Sequence, residues 1–409
     1  VLLWHGYLLG GTGSNVYTRA LAREWSLAGH EVTVVCQEPH PDRYDLAGAR
    51  VVVPELPGRL LPVFVLDRYE GLEARRLVDL SPAERRAYVE ANAAALRGLG
   101  PADLVFANHV LLGGPVGAAS GLPFRVKAHG SELEYALRGR PDLAAWAKET
   151  LAAADRVYAG SLHVRAVLEE LVGPRARVEV VPPGVDVEAF RPEPREQALA
   201  ALLEQARADP PNPGNRDERQ PDEGNAERLA RFFAGERPTV VYFGKLIENK
   251  GVQVLLEALA GLKARAVVVG FGDYRRRLEA IAPLGTLFTG QLEHRHLRHL
   301  LPLCDVAVVP SIFPEAFGMV AAEAAAAGVL PVVSAHSGLA EVAAGIAEEV
   351  GPQAAHLLTF PAGDADALRE RLAAILALPP SRRRELGLAA RRAAQRRWSW
   401  RAVAARLLD

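Results

Sequence analysis

Cysteine is almost absent. Cys36 and Cys304 are the only two in 409 residues, and each sits among apolar residues at the edge of a strand, where core packing accounts for it. Neither a disulfide framework nor a cysteine-rich metal site can be built from them. Long apolar runs are also missing: none reaches the roughly 18 residues that suggest a membrane span, and no secretory leader is legible, so a reducing cytoplasm is expected. The chain opens at Val1 already inside a strand. Net charge is close to zero, with 48 basic and 49 acidic side chains. No global field draws nucleic acid or an acidic membrane, and an anionic ligand must be met locally. Lysine is the scarce cation, found only at 127, 148, 245, 250 and 263, while arginine supplies the other 43. Two of these five lysines fall five residues apart, in the glycine-bounded stretch Gly244 to Gly251.

What is present is ample core material: 49% of residues are apolar, 24% are charged and the mean hydropathy is +0.04. A single core stops growing near roughly 250 to 300 residues, so 409 residues favour two domains. Short valine-rich runs alternate with longer amphipathic segments, the pattern of βα units that build buried parallel sheets. The fold class is therefore α/β. In the first half, strands are expected at Val1–His5, Glu31–Cys36, Arg50–Val53, Asp103–Ala107, Phe124–Ala128, Arg156–Ala159 and Val178–Val181. Helices are expected at Asn15–Ala28, Pro82–Leu99, Asp142–Ala154 and Leu162–Leu171. The second half repeats the theme with strands at Thr239–Phe243, Ala266–Gly270, Thr286–Thr289, Val306–Pro310 and Leu330–Ser334.

The N-terminal domain is expected to cover residues 1–186, with a hinge just after Pro182-Pro183-Gly184-Val185-Asp186, and the C-terminal domain residues 187–393. The end of the chain, 394–409, is expected to pack back on the first domain. Residues 209–225 (DPPNPGNRDERQPDEGN) hold almost nothing apolar and are read as a flexible solvent loop between helical flanks. The arginine-rich helix Ser381–Arg397 is read as a solvated face, with contact to anionic lipid at the inner face of the membrane as its alternative.

The chemistry is expected at strand ends. Gly10-Gly11-Thr12-Gly13-Ser14-Asn15 follows the first strand and opens a helix, as a loop presenting amides to a ligand would. Val16 stands where a dinucleotide fingerprint needs its third glycine, which disfavours a nicotinamide site. Gly270-Phe271-Gly272 fails the same test at Arg275, and a tight turn is the plainer reading of either motif alone. Phe243-Gly244-Lys245-Leu246-Ile247-Glu248-Asn249-Lys250-Gly251 places two ammonium groups at the carboxyl edge of a sheet, where phosphate is met. The run from Pro310 to Ala324 sets Glu315 in a loop and Gly318 at a helix start, with Glu323 about a turn and a half farther on. Amides at Phe317, Gly318, Met319 and Val320 suit a diphosphate, and the two carboxylates suit hydroxyls of a ribose and a sugar ring.

Taken together, Lys245 and Lys250, Pro310-Ser311, and Glu315 followed at eight residues by Glu323 resemble family four of the retaining nucleotide-sugar glycosyltransferases. The likeness runs along nearly the whole chain. It takes in Gly10-Gly11, Ala28-Gly29-His30-Glu31-Val32-Thr33-Val34, Lys127-Ala128-His129-Gly130-Ser131 and Val181-Pro182-Pro183-Gly184-Val185-Asp186 with Phe190. It continues through Gly270-Phe271-Gly272 and Trp398-Ser399-Trp400. The resemblance implies the GT-B architecture, two Rossmann-like domains facing a central cleft. It also implies transfer of a hexosyl or N-acetylhexosaminyl group from a UDP- or GDP-linked sugar to an acceptor hydroxyl, with retained configuration and no essential metal or tightly bound cofactor.

By the same resemblance, His129, Lys245, Lys250 and Glu315 would be catalytic. Gly10, Gly11, Gly244, Gly270, Gly272, Leu292, Phe317, Gly318, Met319, Val320 and Glu323 would bind the donor, with the base read through backbone groups near Gln291 and Leu292. Asn108 and His109 would lie on the acceptor side. Two other classes compete: a nucleotide-sugar 2-epimerase on a similar fold, and a silent sugar-nucleotide-binding protein. Small-molecule donor and acceptor are the expected partners, and no nucleic acid is. Plainer readings are a solvent-facing pair for Glu315 and Glu323, a buried strand-end residue for His129, and a helix face for His294, His296 and His299. Asp364 in Asp364-Ala365-Asp366 is read as a helix N-cap.

Overall fold

In a computed structural model, residues 1–11, 13–66, 69, 71–174 and 177–409 are described; Thr12 of the first glycine motif lies outside them. The chain divides into two units, Val1–Pro183 with Trp400–Asp409, and Gly184–Ser399.

The first unit holds β1 (Leu2–Trp4), β2 (Thr33–Val35), β3 (Arg50–Val52), β4 (Leu60–Val63), β5 (Glu73–Arg76), β6 (Val105–Asn108), β7 (Phe124–Lys127), β8 (Arg156–Ala159) and β9 (Val178–Val180). Seven of these form one parallel sheet in the order β3-β2-β1-β6-β7-β8-β9, and β4 and β5 pair separately. The central strands are apolar on both faces because helices cover both: Leu3, Trp4, Val105, Phe106, Ala107 and Val126 are all buried. A Leu, Val or Phe among them adds roughly 1.5 to 3 kcal/mol when fully buried. Helix starts follow local chemistry. Pro82–Gly98 begins after a capping box in which Ser81 and Glu84 bond each other's backbone amides, and Leu162–Val172 begins where Ser161 Oγ accepts from the Val164 amide.

The second unit holds β10 (Thr239–Phe243), β11 (Arg265–Val269), β12 (Thr286–Phe288), β13 (Val306–Val309), β14 (Leu330–Ser334) and β15 (Thr359–Phe360), parallel in the order β12-β11-β10-β13-β14-β15. In both sheets the chain starts centrally, winds outward to one edge and returns to the other side of its starting strand. The reversal falls between β1 and β6 in the first sheet and between β10 and β13 in the second. Ligands of open α/β sheets bind outside the carboxyl ends at such a reversal. The loops after β1, β6, β10 and β13 are therefore the ones that matter. As read from sequence, Asp364 caps the helix Ala365–Ala377 by accepting from the Ala367 amide, and Cys36 is buried and unpaired.

Two features depart from the sequence reading. The chain leaves the first unit at Pro183 and returns at Trp400, not at 394. The helix Pro380–Arg397 runs unbroken to Arg397 because Ala390, Ala393 and Ala394 are buried against the second unit, and a Cβ on Gly387 would overlap the Gly328 carbonyl oxygen. Val185 pairs with Ser399 through a parallel bridge, which puts both ends of the second unit side by side. Trp400–Leu408 packs within the first unit: Trp25 Nε1 donates to the Ala404 carbonyl at 2.8 Å and Arg125 to that of Leu407 at 2.7 Å.

Second, residues 209–225 are not a free loop. They order themselves through polar closure instead of apolar burial. The buried Asp222 carboxylate takes two bonds from Arg275 at 2.8 and 2.6 Å, Asn212 holds the backbone of Asp217 and Pro221, and Asp209 pairs with Arg295 and His296. The arginines of Pro380–Arg397 form a solvated face, Arg392, Arg396 and Arg397 keeping 51, 71 and 42% of their side chains exposed while ion-paired. Arg383 binds Asp305, Arg391 binds three backbone carbonyls, Arg392 and Arg396 share Glu349, and Arg397 binds Glu348. No described helix is long and apolar enough to cross a membrane.

Candidate active site

The second unit builds its site from the loops after β10 and β13. After Phe243 the chain turns at Gly244, and the Tyr242 hydroxyl donates to the Lys245 carbonyl at 2.7 Å. Burial and the nearby Glu315 raise the Tyr242 pKa, so the hydroxyl stays a donor. A short turn, Glu248–Lys250, ends at Gly251 with φ 68°, and the helix Val252–Leu259 begins. A side chain at Gly251 would overlap the Pro310 carbonyl oxygen, so the two loops meet backbone to backbone.

That contact brings Lys250 and Glu315, 65 residues apart, to 2.5 Å between Nζ and Oε1, with Ser311 Oγ donating to the same oxygen at 2.6 Å. The Glu315 amide donates to Ser337 Oγ at 2.9 Å, and its carbonyl accepts from the Gly338 amide at 3.0 Å. His336 bonds both Ser337 Oγ and the Ser311 carbonyl, clamping the loop from the β14 side. Lys245 is exposed and makes no ion pair among the described residues.

Gly318, at φ 113°, caps the helix Met319–Ala326, and its carbonyl receives the Ala321 and Ala322 amides. The amides before these have no acceptor within the helix. Phe317 is buried against Trp398, 5.7 Å between ring centroids, so its side chain belongs to the core. Leu292 is likewise a core residue. Glu323, 7% exposed, stands on the same helix with His294 Nε2 3.4 Å from its carboxylate. Gly270 and Gly272 nest against the backbone of Gly244 and Leu246, so the turn after β11 leans on the turn after β10. His296 and His299 face inward, each bonded to a carboxylate, Asp209 and Glu193.

The first unit gathers a second cluster after β1, β6 and β7. His5, His109 and His129 lie ring beside ring, His109 stacked 5.8 Å from His5 and tilted 4.5 Å from His129, and Tyr7 and Phe64 close the group at 5.3 and 5.1 Å from His109. Asn108 sets the half-buried His129. Its Nδ2 lies 3.2 Å from Thr18 Oγ1 and 3.5 Å from the Trp4 carbonyl, which can only accept, so its Oδ1 faces His129 Nε2 at 2.9 Å. Nε2 therefore carries the hydrogen, and Nδ1 is an acceptor. By the same logic Asn15 donates to the Gly10 carbonyl and accepts from His5 Nε2 at 2.8 Å. Gly10 is pressed on the Tyr44 hydroxyl, and the exposed Gly11 has φ 95°.

Burial holds all three imidazoles neutral: His5 is lowered to about 4, His109 and His129 well below the usual range. Both ring nitrogens of His109 are buried without a hydrogen-bond partner among the described residues. Glu132, fully buried, accepts the His129 and Leu111 amides at 2.9 and 3.0 Å, and burial raises it to about 7 against those amides. Lys127 is buried with Nζ on the Val181 carbonyl at 2.6 Å and is lowered to about 7 by burial, then by Arg406.

His5, Asn15, Glu132, His336 and Ser337 were not singled out from sequence. Glu132 has a signal, its three-residue spacing from His129 at a helix start, which is capping-box spacing. His5 has one too, as the residue directly after β1.

Two family models account for most of the chain: Glycosyltransferase Family 4 matches residues 11–189, and Glycosyl transferases group 1 matches residues 225–393. The chain belongs to the family-four glycosyltransferases of group 1. Among relatives of this family-four chain, a GDP-mannose-dependent alpha-(1-6)-phosphatidylinositol monomannoside mannosyltransferase of Mycobacterium tuberculosis is 29% identical over 265 residues, 61% of this chain and 59% of the relative. A D-inositol 3-phosphate glycosyltransferase of Xylanimonas cellulosilytica is 31% identical over 274 residues, 64% of this chain and 58% of the relative. The family-four chain thus spans about three fifths of the length of these relatives. Its fold is GT-B. The sucrose-phosphate synthase of Thermosynechococcus elongatus superposes with a TM-score of 0.67 at 23% identity, covering 99% of this chain and 96% of that one. Anabaena HepE, crystallised with UDP and glucose, gives 0.69 at 17% identity, covering 100% and 98%.

Proposed function

We propose that this chain transfers a hexosyl or N-acetylhexosaminyl group from a UDP- or GDP-linked sugar to an acceptor hydroxyl, with retained anomeric configuration and no essential metal. The observation that carries the reading is the meeting of Lys250, Glu315 and Ser311 at the β10/β13 reversal, in the unit that also holds Lys245 and the Gly318-capped helix. Breaking the anomeric bond leaves negative charge on a diphosphate, and the largest help a protein gives is preorganised positive charge there. Two lysines and free helix amides supply it without a metal. Glu323, buried on the same helix, accepts the ribose hydroxyls. Glu315, next to the ammonium that grips the phosphate, orients the sugar. His129 offers Nδ1 as an acceptor for a sugar hydroxyl, because Asn108 occupies Nε2. Asn108, His109 and the Gly10-Gly11 loop form the acceptor side.

The test is a donor panel read by nucleoside diphosphate release, with UDP-glucose, UDP-N-acetylglucosamine and GDP-mannose. Both relatives are named for acceptors that contain inositol, so the acceptor panel starts with inositol phosphate and phosphatidylinositol. Acceptor-dependent release of one diphosphate, with a product whose anomeric proton matches the donor's, is expected. Release without acceptor and with an epimerised sugar, or no release from any donor, would overturn the reading.

A further inference from the structure

Ser337 opens the helix Ser337–Val350 just beyond β14, and its φ is 51°. A left-handed backbone disfavours any residue with a Cβ, whereas glycine adopts it freely. A serine kept there points to a use for its side chain, because strained backbone gathers where a site needs it. The hydrogen bonds show that use. Ser337 Oγ accepts from the Glu315 amide at 2.9 Å and lies 2.9 Å from His336 Nδ1. His336 Nε2 lies 2.8 Å from the Ser311 carbonyl, which can only accept, so Nε2 carries the hydrogen. In the neutral ring Nδ1 is then an acceptor, and the Ser337 hydroxyl donates to it while its oxygen takes the Glu315 amide. The relay runs in one direction, from the Glu315 amide to Ser337, from Ser337 to His336 and from His336 to Ser311.

The relay begins and ends on one loop. Ser311 and Glu315 are also joined directly, the Ser311 hydroxyl donating to the carboxylate at 2.6 Å. The Gly338 amide donates to the Glu315 carbonyl at 3.0 Å, and a Cβ on Gly338 would stand 2.4 Å from Phe317 Cα, so the turn lies flush against the backbone that follows Glu315. On the other flank the Ile312 and Phe313 amides donate to the Asn249 carbonyl at 3.0 and 3.3 Å, beside Lys250. The tip between them stays in solvent, with Ile312 and Phe313 exposed. The loop is therefore placed by polar bonds, and the main chain of Glu315 is gripped at its amide by Ser337 and at its carbonyl by Gly338.

We infer that Ser337 and His336 are positioning residues for Glu315, fixing its main chain so that the carboxylate meets the transferred sugar in a single orientation. The inference rests on the proposed role of Glu315 toward the donor sugar. Both residues act on turnover through Glu315, while the grip on the diphosphate belongs to Lys250 and the Gly318-capped helix.

Steady-state turnover, calorimetric GDP and UDP binding and thermal unfolding of the full chain test it, with Ser337→Gly, His336→Leu, His336→Gln and Glu315→Gln. Ser337→Gly removes the hydroxyl but suits the left-handed backbone, so kcat should fall about tenfold while nucleotide affinity and unfolding temperature hold. His336→Leu should show the same loss, and His336→Gln, whose amide N–H serves the Ser311 carbonyl, should recover part of it. In the Glu315→Gln background Ser337→Gly should have no further effect, because no carboxylate is left to position. Losses that multiply in the double variant, or an unchanged kcat in Ser337→Gly, would overturn the inference. A fall in nucleotide affinity or unfolding temperature in step with kcat would make the relay a general clasp and overturn it as well. In each of these cases the unchanged protein still turns over a donor, and the proposed function stands. If the unchanged protein turns over no donor of the panel, the proposed function falls and the inference falls with it.

Discussion

Lys250 and Glu315 form one ion pair, yet substituting them should move nucleoside diphosphate affinity in opposite directions. In Lys250→Met the ligand loses a charge-assisted hydrogen bond, worth about 1.5 to 3 kcal/mol. The Lys250 side chain is 32% exposed and that of Glu315 20%, so solvent screening argues for the lower end, roughly a tenfold loss. A second effect adds to it: the Glu315 carboxylate, now held by Ser311 alone, faces the diphosphate without its counter-charge. In Glu315→Gln the pair is broken the other way. The amide oxygen still accepts from Ser311, the loop keeps its shape, and Nζ no longer shares its charge with a carboxylate. A half-exposed pair is worth about 0 to 1 kcal/mol, so GDP or UDP should bind equally well or up to about fivefold more tightly, while turnover falls because the donor sugar loses its carboxylate. Calorimetric titration of both variants decides the matter. If Glu315→Gln weakens the nucleotide as much as Lys250→Met, the pair is a structural clasp and Lys250 does not grip phosphate.

Three further outcomes are expected. Turnover should survive EDTA, since lysines and amides carry the leaving-group charge; loss reversed by manganese would refute this. Between about pH 6.5 and 4.5, His5, His109 and His129 take up protons only on unfolding, which lowers stability on acidification, while Glu132, raised to about 7, holds a proton only in the fold and opposes them. The net uptake of protons on unfolding predicts a loss of stability on acidification in urea unfolding followed through the first unit, steeper in Glu132→Gln, and a flat profile would contradict it. Gly251→Ala should cost at least about 2 kcal/mol in urea unfolding, since the position has positive φ and faces a carbonyl; a change below about 0.5 kcal/mol would show that the two loops are not in register.

The parts of the fold that were legible share a cause. The valine-rich runs after Thr239, Arg265 and Val306 are strands buried on both faces, and such strands declare themselves by composition alone. The pair β4 and β5 did not. Leu60–Val63 carries Pro62, and Glu73–Arg76 is mostly charged, so neither looks like a strand until the other is beside it. The residues proposed for the donor side, Lys245, Lys250, Glu315 and Glu323, could be picked out because they follow strand ends and a helix start in a recognisable order. Glu132 was not picked out: its one sequence signal is the capping-box spacing from His129, and its other partner, the Leu111 amide, lies 21 residues away and shows in no sequence pattern. The 209–225 segment was misread for a related reason. Its order comes from Asp222 meeting Arg275, 53 residues away, and a composition argument sees only the missing apolar residues.

The geometry of the proposed site is set at the level of the backbone before any charged group is placed. The Gly251 Cα faces the Pro310 carbonyl and the Gly270 Cα that of Gly244, each with no room for a side chain. The turns after β10, β11 and β13 are therefore nested by main-chain contact. Rigid nesting is what allows a lysine from one loop and a glutamate from another to meet at 2.5 Å, because long side chains on independent loops would lose rotamer freedom to hold that distance.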